Sequence, residues 1–323
     1  KHWINNIFNS FFKAAYFVML PFFYIFRITM LTQHTKSTVQ VIECPRDAMQ
    51  GWSNIISTKD NVRYLSALLK VGYHTIDFGS FVSAKAVPQM EDTADVLRQI
   101  KASNILQDTQ TKLLAIVANL RGAEEAAMFE EISFLGYPFS ISPTFQYRNV
   151  NSTIYQSFER LEEIREICHK NDKKLVVYIS MGFGNPYADE YSEKILMDWI
   201  KKIIALNIET ISIADTVGVA TEEQVSTVMT KLFEEYPSTD WGVHLHAKPD
   251  TWINKVASAY NAGCRRFDAT ISGIGGCPFA KDELVGNIDT IQMVEWFAQH
   301  QVKTGLNIKE LLRCKQIASE IFV

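Results

Sequence analysis

From Thr38 to its C-terminus the chain alternates short β-branched runs with amphipathic helical stretches, and few folds accommodate that alternation. Eight runs read as strands: Val39–Cys44, Thr75–Phe81, Lys112–Ala118, Ser133–Ile141, Lys173–Met181, Thr210–Asp215, Trp241–Ala247 and Arg265–Ile271. Seven helical segments fall between them and an eighth follows. In Thr153–His169, Ile154, Phe158, Leu161, Ile164, Ile167 and Cys168 form a stripe at helical spacing, while Glu159, Glu162, Glu163 and Arg165 face water. Eight such units predict an α/β protein built as a closed (β/α)8 TIM barrel in a single domain. An open doubly wound sheet is the alternative. Its usual glycine-rich dinucleotide loop is missing, because Glu43-Cys44-Pro45-Arg46-Asp47 stands in that place.

A chain of 323 residues at 47% hydrophobic composition buries a core large enough for such a barrel. Thirty-two Lys and Arg against 36 Asp and Glu leave a net charge of -4, and no basic run or basic-aromatic stripe is present, so nucleic acid is not an expected partner. The five cysteines, Cys44, Cys168, Cys264, Cys277 and Cys314, include no Cys-x-x-Cys pair. This argues for a reducing compartment, taken here as the cytoplasm, and against a disulfide framework. Residues 1–29 differ from the rest. Ala14 to Phe26 are uncharged and mostly apolar, flanked by Lys13 and Arg27 and interrupted by Pro21, a stretch short for a membrane span. We expect residues 1–29 to be translated upstream sequence or a leader, with a membrane-associating helix as the rival reading, and the catalytic domain to occupy residues 30–323. No other membrane contact is expected.

In a barrel of this kind the chemistry sits at the C-terminal ends of the strands. Arg46 and Asp47 follow the first strand, Asp77 and Ser80 end the second, and Asn119 follows the third. Asp215 and Thr216 end the sixth, His244 and His246 the seventh, and the glycine-rich Gly273-Ile-Gly-Gly-Cys-Pro278 follows the eighth. Residues two apart on a strand share a face, so His244 and His246 can grip one ion. Asp47, His244, His246 and Asn287 supply a carboxylate, two imidazoles and an amide oxygen, a mixed set suited to Mg2+, Mn2+ or Zn2+. Arg46 is permanently charged and offers a fork of donors for an oxygen that develops enolate charge. Cys277, on its glycine-rich loop, is placed to give or take a proton when the loop closes. Each feature alone has an ordinary reading: core histidines, a surface Arg-Asp pair, a small buried thiol, a tight turn. Their joint occurrence at the correct strand ends is what points to a site.

These segments resemble the metal-dependent carbon–carbon lyase and Claisen-condensing barrel superfamily, and within it the 3-hydroxy-3-methylglutaryl-CoA lyases. Ser80-Phe-Val-Ser-Ala-Lys85, Val87-Pro-Gln-Met90, Asn119-Leu-Arg-Gly122 and Ser212-Ile-Ala-Asp-Thr-Val-Gly218 extend the likeness, which covers Val39 to the C-terminus. The resemblance implies that Asp47, His244, His246 and Asn287 bind the divalent cation, most simply Mg2+ or Mn2+. It implies that Arg46 stabilises the enolate, that Cys277 transfers a proton, and that Ser80, Asn119 and Thr216 contact an acyl-CoA substrate. Asp215 is placed by the same likeness near the substrate hydroxyl. Asp77 stands where many members have Glu, and Ala247-Lys248 where Asp or Thr is more usual. Between Cys277 and Asn287 the chain is one residue longer than the animal lyases, as in a bacterial-type loop. The implied reaction is retro-Claisen cleavage in leucine degradation and ketone-body metabolism, by a protein that assembles as a homodimer. A condensing synthase of the isopropylmalate or homocitrate type, a lyase for another hydroxyacyl-CoA, and a catalytically silent metal-binding barrel are the alternatives.

Overall fold

The computed structural model describes residues 38–276 and 285–323; residues 1–29 and Cys277 lie outside the described residues. Eight strands run parallel and close in sequence order: β1 (Gln40–Glu43), β2 (Thr75–Ser80), β3 (Lys112–Ile116), β4 (Ile132–Ser140), β5 (Lys174–Ser180), β6 (Thr210–Asp215), β7 (Asp240–Leu245) and β8 (Arg266–Ala269). Closure is made by β1 against β8, with Gln40 opposite Arg266 and Glu43 opposite Ala269. Every expected run overlaps one strand, β4 and β7 each beginning one residue earlier than expected. β7 and β8 stop two residues short of their expected ends because the chain there leaves the ladder to build the rim. His246 keeps only an isolated bridge, to Asn287, and Thr270 one to Asp289.

The strands are buried on both faces, as a parallel barrel requires, and two apolar layers result. Leu114, Ile116, Phe134, Val176 and Tyr178 form an apolar cluster of their own, while Ile76, Phe78, Val177, Ile179, Ile211 and Ile213 belong to the larger cluster shared with the helices. The stripe expected over Thr153–His169 forms a helix over Ile154–Lys170, with Thr153 as N-cap in a reciprocal capping box with Gln156. Its buried residues include Ile154, Leu161, Ile164 and Cys168.

Two local devices aim side chains at the rim. After β1, Pro45 opens a short helix, Pro45–Gln50, in which Arg46 and Asp47 occupy the first turn. Gln50 falls four residues after Arg46 and so on the same side. In β2 the register against β3 slips between Asp77 and Gly79, leaving Phe78 as an extra residue. Strict alternation would send Asp77 and Ser80 to opposite faces, being three apart; the bulge brings Ser80 to the cavity while Asp77 faces Arg46. No helix among the described residues is long and apolar enough to cross a membrane.

Candidate active site

A cavity of about 570 Å³ opens among the strand ends, with Arg46, Asp47, Ser80, Asn119, Thr216, His244 and His246 in its wall. Asp77, Asp215 and Asn287 stand behind that wall, buried.

Arg46 is held as a fork. Its Nε donates to both oxygens of Asp77 at 3.3 and 3.1 Å, and its Nη2 to Asp77 Oδ2 at 2.5 Å. Nη1 donates to Asp47 Oδ1 at 3.1 Å and to Gln50 Oε1 at 2.8 Å. Burial works against the charged guanidinium, but Asp77 and Asp47 outweigh it and hold the group above its ordinary pKa. Burial pushes the Asp77 carboxyl up to about 6 against the pull of Arg46. For Asp47 burial is likewise the largest influence, yet Arg46, His244 and His246 overcome it and hold the carboxyl below its usual range.

The ligand atoms of Asp47, His244 and His246 lie within 4.8 Å of one another. His244 Nδ1 donates to Asp268 Oδ2 at 3.1 Å, and His246 Nδ1 to the Val285 carbonyl at 3.0 Å. With each Nδ1 committed, the two Nε2 atoms face each other at 3.2 Å, and a proton or a cation must lie between their lone pairs. For His244, burial opposes the charged ring but the Asp268 hydrogen bond and charge prevail and raise its pKa; for His246, burial and then the neighbouring His244 lower it. A divalent cation would displace that shared proton. Asn287 donates its amide hydrogens to Asp47 Oδ2 at 2.7 Å and to the Ile274 carbonyl at 3.1 Å, so Oδ1 is the amide's remaining ligand atom. The donor set therefore fits a hard or borderline cation. A second grouping, Cys44, His244 and Asp268, is a poorer fit: burial, with Asp268, Asp77 and Asp47 adding to it, pushes the Cys44 thiol well above its ordinary range and keeps it protonated.

The glycine-rich segment begins against this cluster. Gly275 has φ +106°, and a Cβ there would stand 2.7 Å from Asn287 Nδ2 and 2.8 Å from the Asp47 carbonyl. Both conditions demand glycine. Cys277 follows but lies outside the described residues.

The remaining expected residues are placed as follows. Ser80 Oγ donates to the Ile116 carbonyl at 3.2 Å, Asn119 Oδ1 caps the helix Leu120–Ala127 by accepting from Gly122 N at 2.9 Å, and Thr216 Oγ1 accepts from Met181 N at 2.9 Å. Asp215 accepts from Ala220 N and pairs with Lys255 Nζ at 2.6 Å; it is not part of the cavity wall. Four partners were not singled out from the sequence. Gln50 carried a signal, its i+4 spacing from Arg46. Asp268, on β8 where alternation sets it two from Arg266, reaches His244 only through strand pairing. Lys255 stands out as a charge in an apolar stripe. Glu43, wholly buried, accepts from Ile271 N at 2.8 Å and from Thr290 Oγ1 at 2.6 Å, and so ties β1 to the chain on both sides of the glycine-rich segment.

An HMGL-like family model matches residues 39–318. The mouse mitochondrial hydroxymethylglutaryl-CoA lyase is 31% identical over 280 residues, covering 85% of this chain and 82% of that one. The Bacillus subtilis hydroxymethylglutaryl-CoA lyase YngG is 28% identical over 271 residues, covering 83% and 87%. Among solved structures, an HMG-CoA lyase from Acinetobacter baumannii in complex with coenzyme A and 3-methylmalate superposes with a TM-score of 0.82 at 27% identity, over 90% of this chain and 93% of that one. The Bacillus subtilis HMG-CoA lyase structure gives 0.81 at 27% identity, over 88% and 94%. With a metal-fitting cluster and a forked arginine on one rim of a (β/α)8 barrel, and a family model spanning nearly all of that barrel, the chain belongs to the HMGL-like family.

Proposed function

We propose that the protein cleaves 3-hydroxy-3-methylglutaryl-CoA to acetyl-CoA and acetoacetate. The observation that carries this reading is the Arg46 fork, fixed by Asp77 and sharing Asp47 with the His244–His246 pair, on the wall of one cavity. Asp47, His244, His246 and Asn287 would hold one divalent cation, Mg2+ or Mn2+, and a bound cation of this kind lowers the pKa of a coordinated hydroxyl.

The chain's own residues account for the other requirements. A base beside the hydroxyl takes its proton, the oxygen's electron pair forms the carbonyl as the C2–C3 bond breaks, and the bonding pair passes to C2 and the thioester oxygen. Arg46 meets the charge on that oxygen with its own charge and the one Nη2 hydrogen left after Asp77, Asp47 and Gln50 have taken the other four, and those partners already orient it, so little reorganisation accompanies the step. C2 then takes a proton, the part we assign to Cys277. Ser80, Asn119 and Thr216, which stand in the cavity wall, would contact the substrate. The coenzyme A bound by the Acinetobacter relative supports an acyl-CoA substrate for this cavity. The same reading includes the cytoplasm as the location and a homodimer as the assembly. The relatives reported above carry the lyase name, and nothing in the site geometry favours the condensing or silent alternatives.

The test is incubation of purified protein with 3-hydroxy-3-methylglutaryl-CoA and Mg2+ or Mn2+, following acetoacetate with a coupled dehydrogenase. Metal-dependent acetoacetate formation, abolished by chelator and restored by added metal, is expected. Absence of acetoacetate from folded, metal-loaded protein overturns the reading.

A further inference from the structure

The helix Trp252–Asn261 follows β7 and buries Trp252, Lys255, Val256 and Ala259, an apolar stripe in which one position is a lysine. Lys255 is only 4% exposed. Burying an ammonium is expensive unless its donors are all met. Here they are: Nζ donates to Asp215 Oδ2 at 2.6 Å, to the Gly218 carbonyl at 2.9 Å and to the His246 carbonyl at 3.0 Å. Asp215 in turn accepts from Ala220 N with both oxygens at 3.2 Å. One side chain thus clamps the end of β6, the turn that follows it, and the backbone of His246.

That last contact matters for chemistry. His246 lies past the end of β7, where the regular ladder has stopped, and its main chain keeps the isolated bridge to Asn287 and the Lys255 hydrogen bond. Ala247 N donates to the Gly286 carbonyl at 3.1 Å and the His246 ring to the Val285 carbonyl at 3.0 Å, so among the described residues Lys255 is the one side chain that holds the residue 246 carbonyl while its ring reaches His244 at 3.2 Å.

We propose that Lys255 is a positioning residue for the metal site: it fixes the His246 backbone, and with it the spacing of the ligand atoms, while Asp215 serves as its counter-charge. The proposal rests on the metal assignment made above. It concerns cation binding by the apo protein, so it is read without turnover.

Removing Lys255 alone strands the Asp215 carboxylate in the interior, so the informative variant is Lys255→Met/Asp215→Asn, which removes both charges together. Mn2+ binding by electron paramagnetic resonance, beside the thermal midpoint of the apo protein, supplies two independent readouts. The expected result is a near-parent midpoint with Mn2+ affinity weakened by about 10- to 100-fold, the range for losing a group that orients a ligand. A near-parent midpoint with unchanged Mn2+ affinity overturns the proposal and leaves the pair as packing alone. Should the double variant fail to fold, Lys255→Leu/Asp215→Asn takes its place, likewise removing both charges and the donor to the His246 carbonyl, and the same two outcomes decide. His246→Ala separates the levels of inference. If parent Mn2+ binding is indifferent to His246→Ala, the metal assignment itself falls; if it depends on His246 but not on Lys255, only the positioning role falls.

Discussion

Glu43 offers a test of the barrel's internal wiring that needs neither metal nor substrate. Burial, set against the Thr290 and Ile271 hydrogen bonds, raises its carboxyl from the ordinary 4.5 to about 7. A carboxyl whose folded pKa is raised holds its proton more tightly in the native state. Its contribution to stability is therefore complete below about pH 4.5 and is lost as pH rises through about 7. A shift of that size corresponds to about 3 kcal/mol, of which about 2 kcal/mol falls between about pH 5.5 and about pH 8. Glu43→Gln removes the titration but keeps the shape. Its carboxamide oxygen accepts from Ile271 N as Glu43 Oε1 does at 2.8 Å, and its NH2 donates to Thr290 Oγ1, reversing the present 2.6 Å bond. Urea unfolding of parent and variant across this pH range, read as the difference between them, cancels every group the two share. The variant should gain about 2 kcal/mol on the parent from the acidic to the alkaline end, equivalent to about 4–8 °C in thermal midpoint. A difference that stays flat with pH, or that moves the other way, would refute the claim that the carboxyl joining β1 to the Ile271 and Thr290 segments holds its proton more tightly in the folded barrel.

Further expectations follow from the geometry of the rim and the interior. Arg46→Lys keeps the charge but loses the fork held by Asp77 and Gln50, so Mn2+ should still bind while kcat falls by about 10²- to 10³-fold; a variant that loses metal and turnover together contradicts the separation of roles. Gly275→Ala introduces a Cβ within 2.8 Å of the Asp47 carbonyl at a φ of +106°, and should lower stability by about 1–3 kcal/mol and weaken Mn2+ binding; unchanged affinity by calorimetry rejects the contact. Arg266, 1% exposed, has no hydrogen-bond partner among the described residues for any of its side-chain nitrogens, with Asp240 Oδ2 at 4.0 Å. Arg266→Met should raise thermal stability by about 1–3 kcal/mol, and a clear loss by differential scanning calorimetry refutes that sign.

What could be read before the structure, and what could not, divides along physical lines. The barrel was legible because period-2 and period-3.6 patterns are local and the eight units repeat them without a long interruption. The clustering of the candidate ligands was legible for the same reason: His244 and His246 sit two apart, and Asp47 adjoins Arg46 behind a helix-opening proline, so spacing brings them to one rim. The buried groups that tie the rim together escaped because their partners are distant in sequence. Asp268 reaches His244 across β7 and β8, Glu43 reaches Thr290 over 247 residues, and Lys255 meets Asp215 from 40 residues away. Asp77 and Ser80 depend on a bulge that no alternation predicts. Asp215 shows the consequence of this division. Its place at the end of β6 was right, yet its carboxylate is taken up by Lys255, a lysine on the helix Trp252–Asn261 that was not singled out from the sequence. A residue's address on a barrel strand thus limits which chemistry it can reach, and the charge across from it determines whether that chemistry remains open to it.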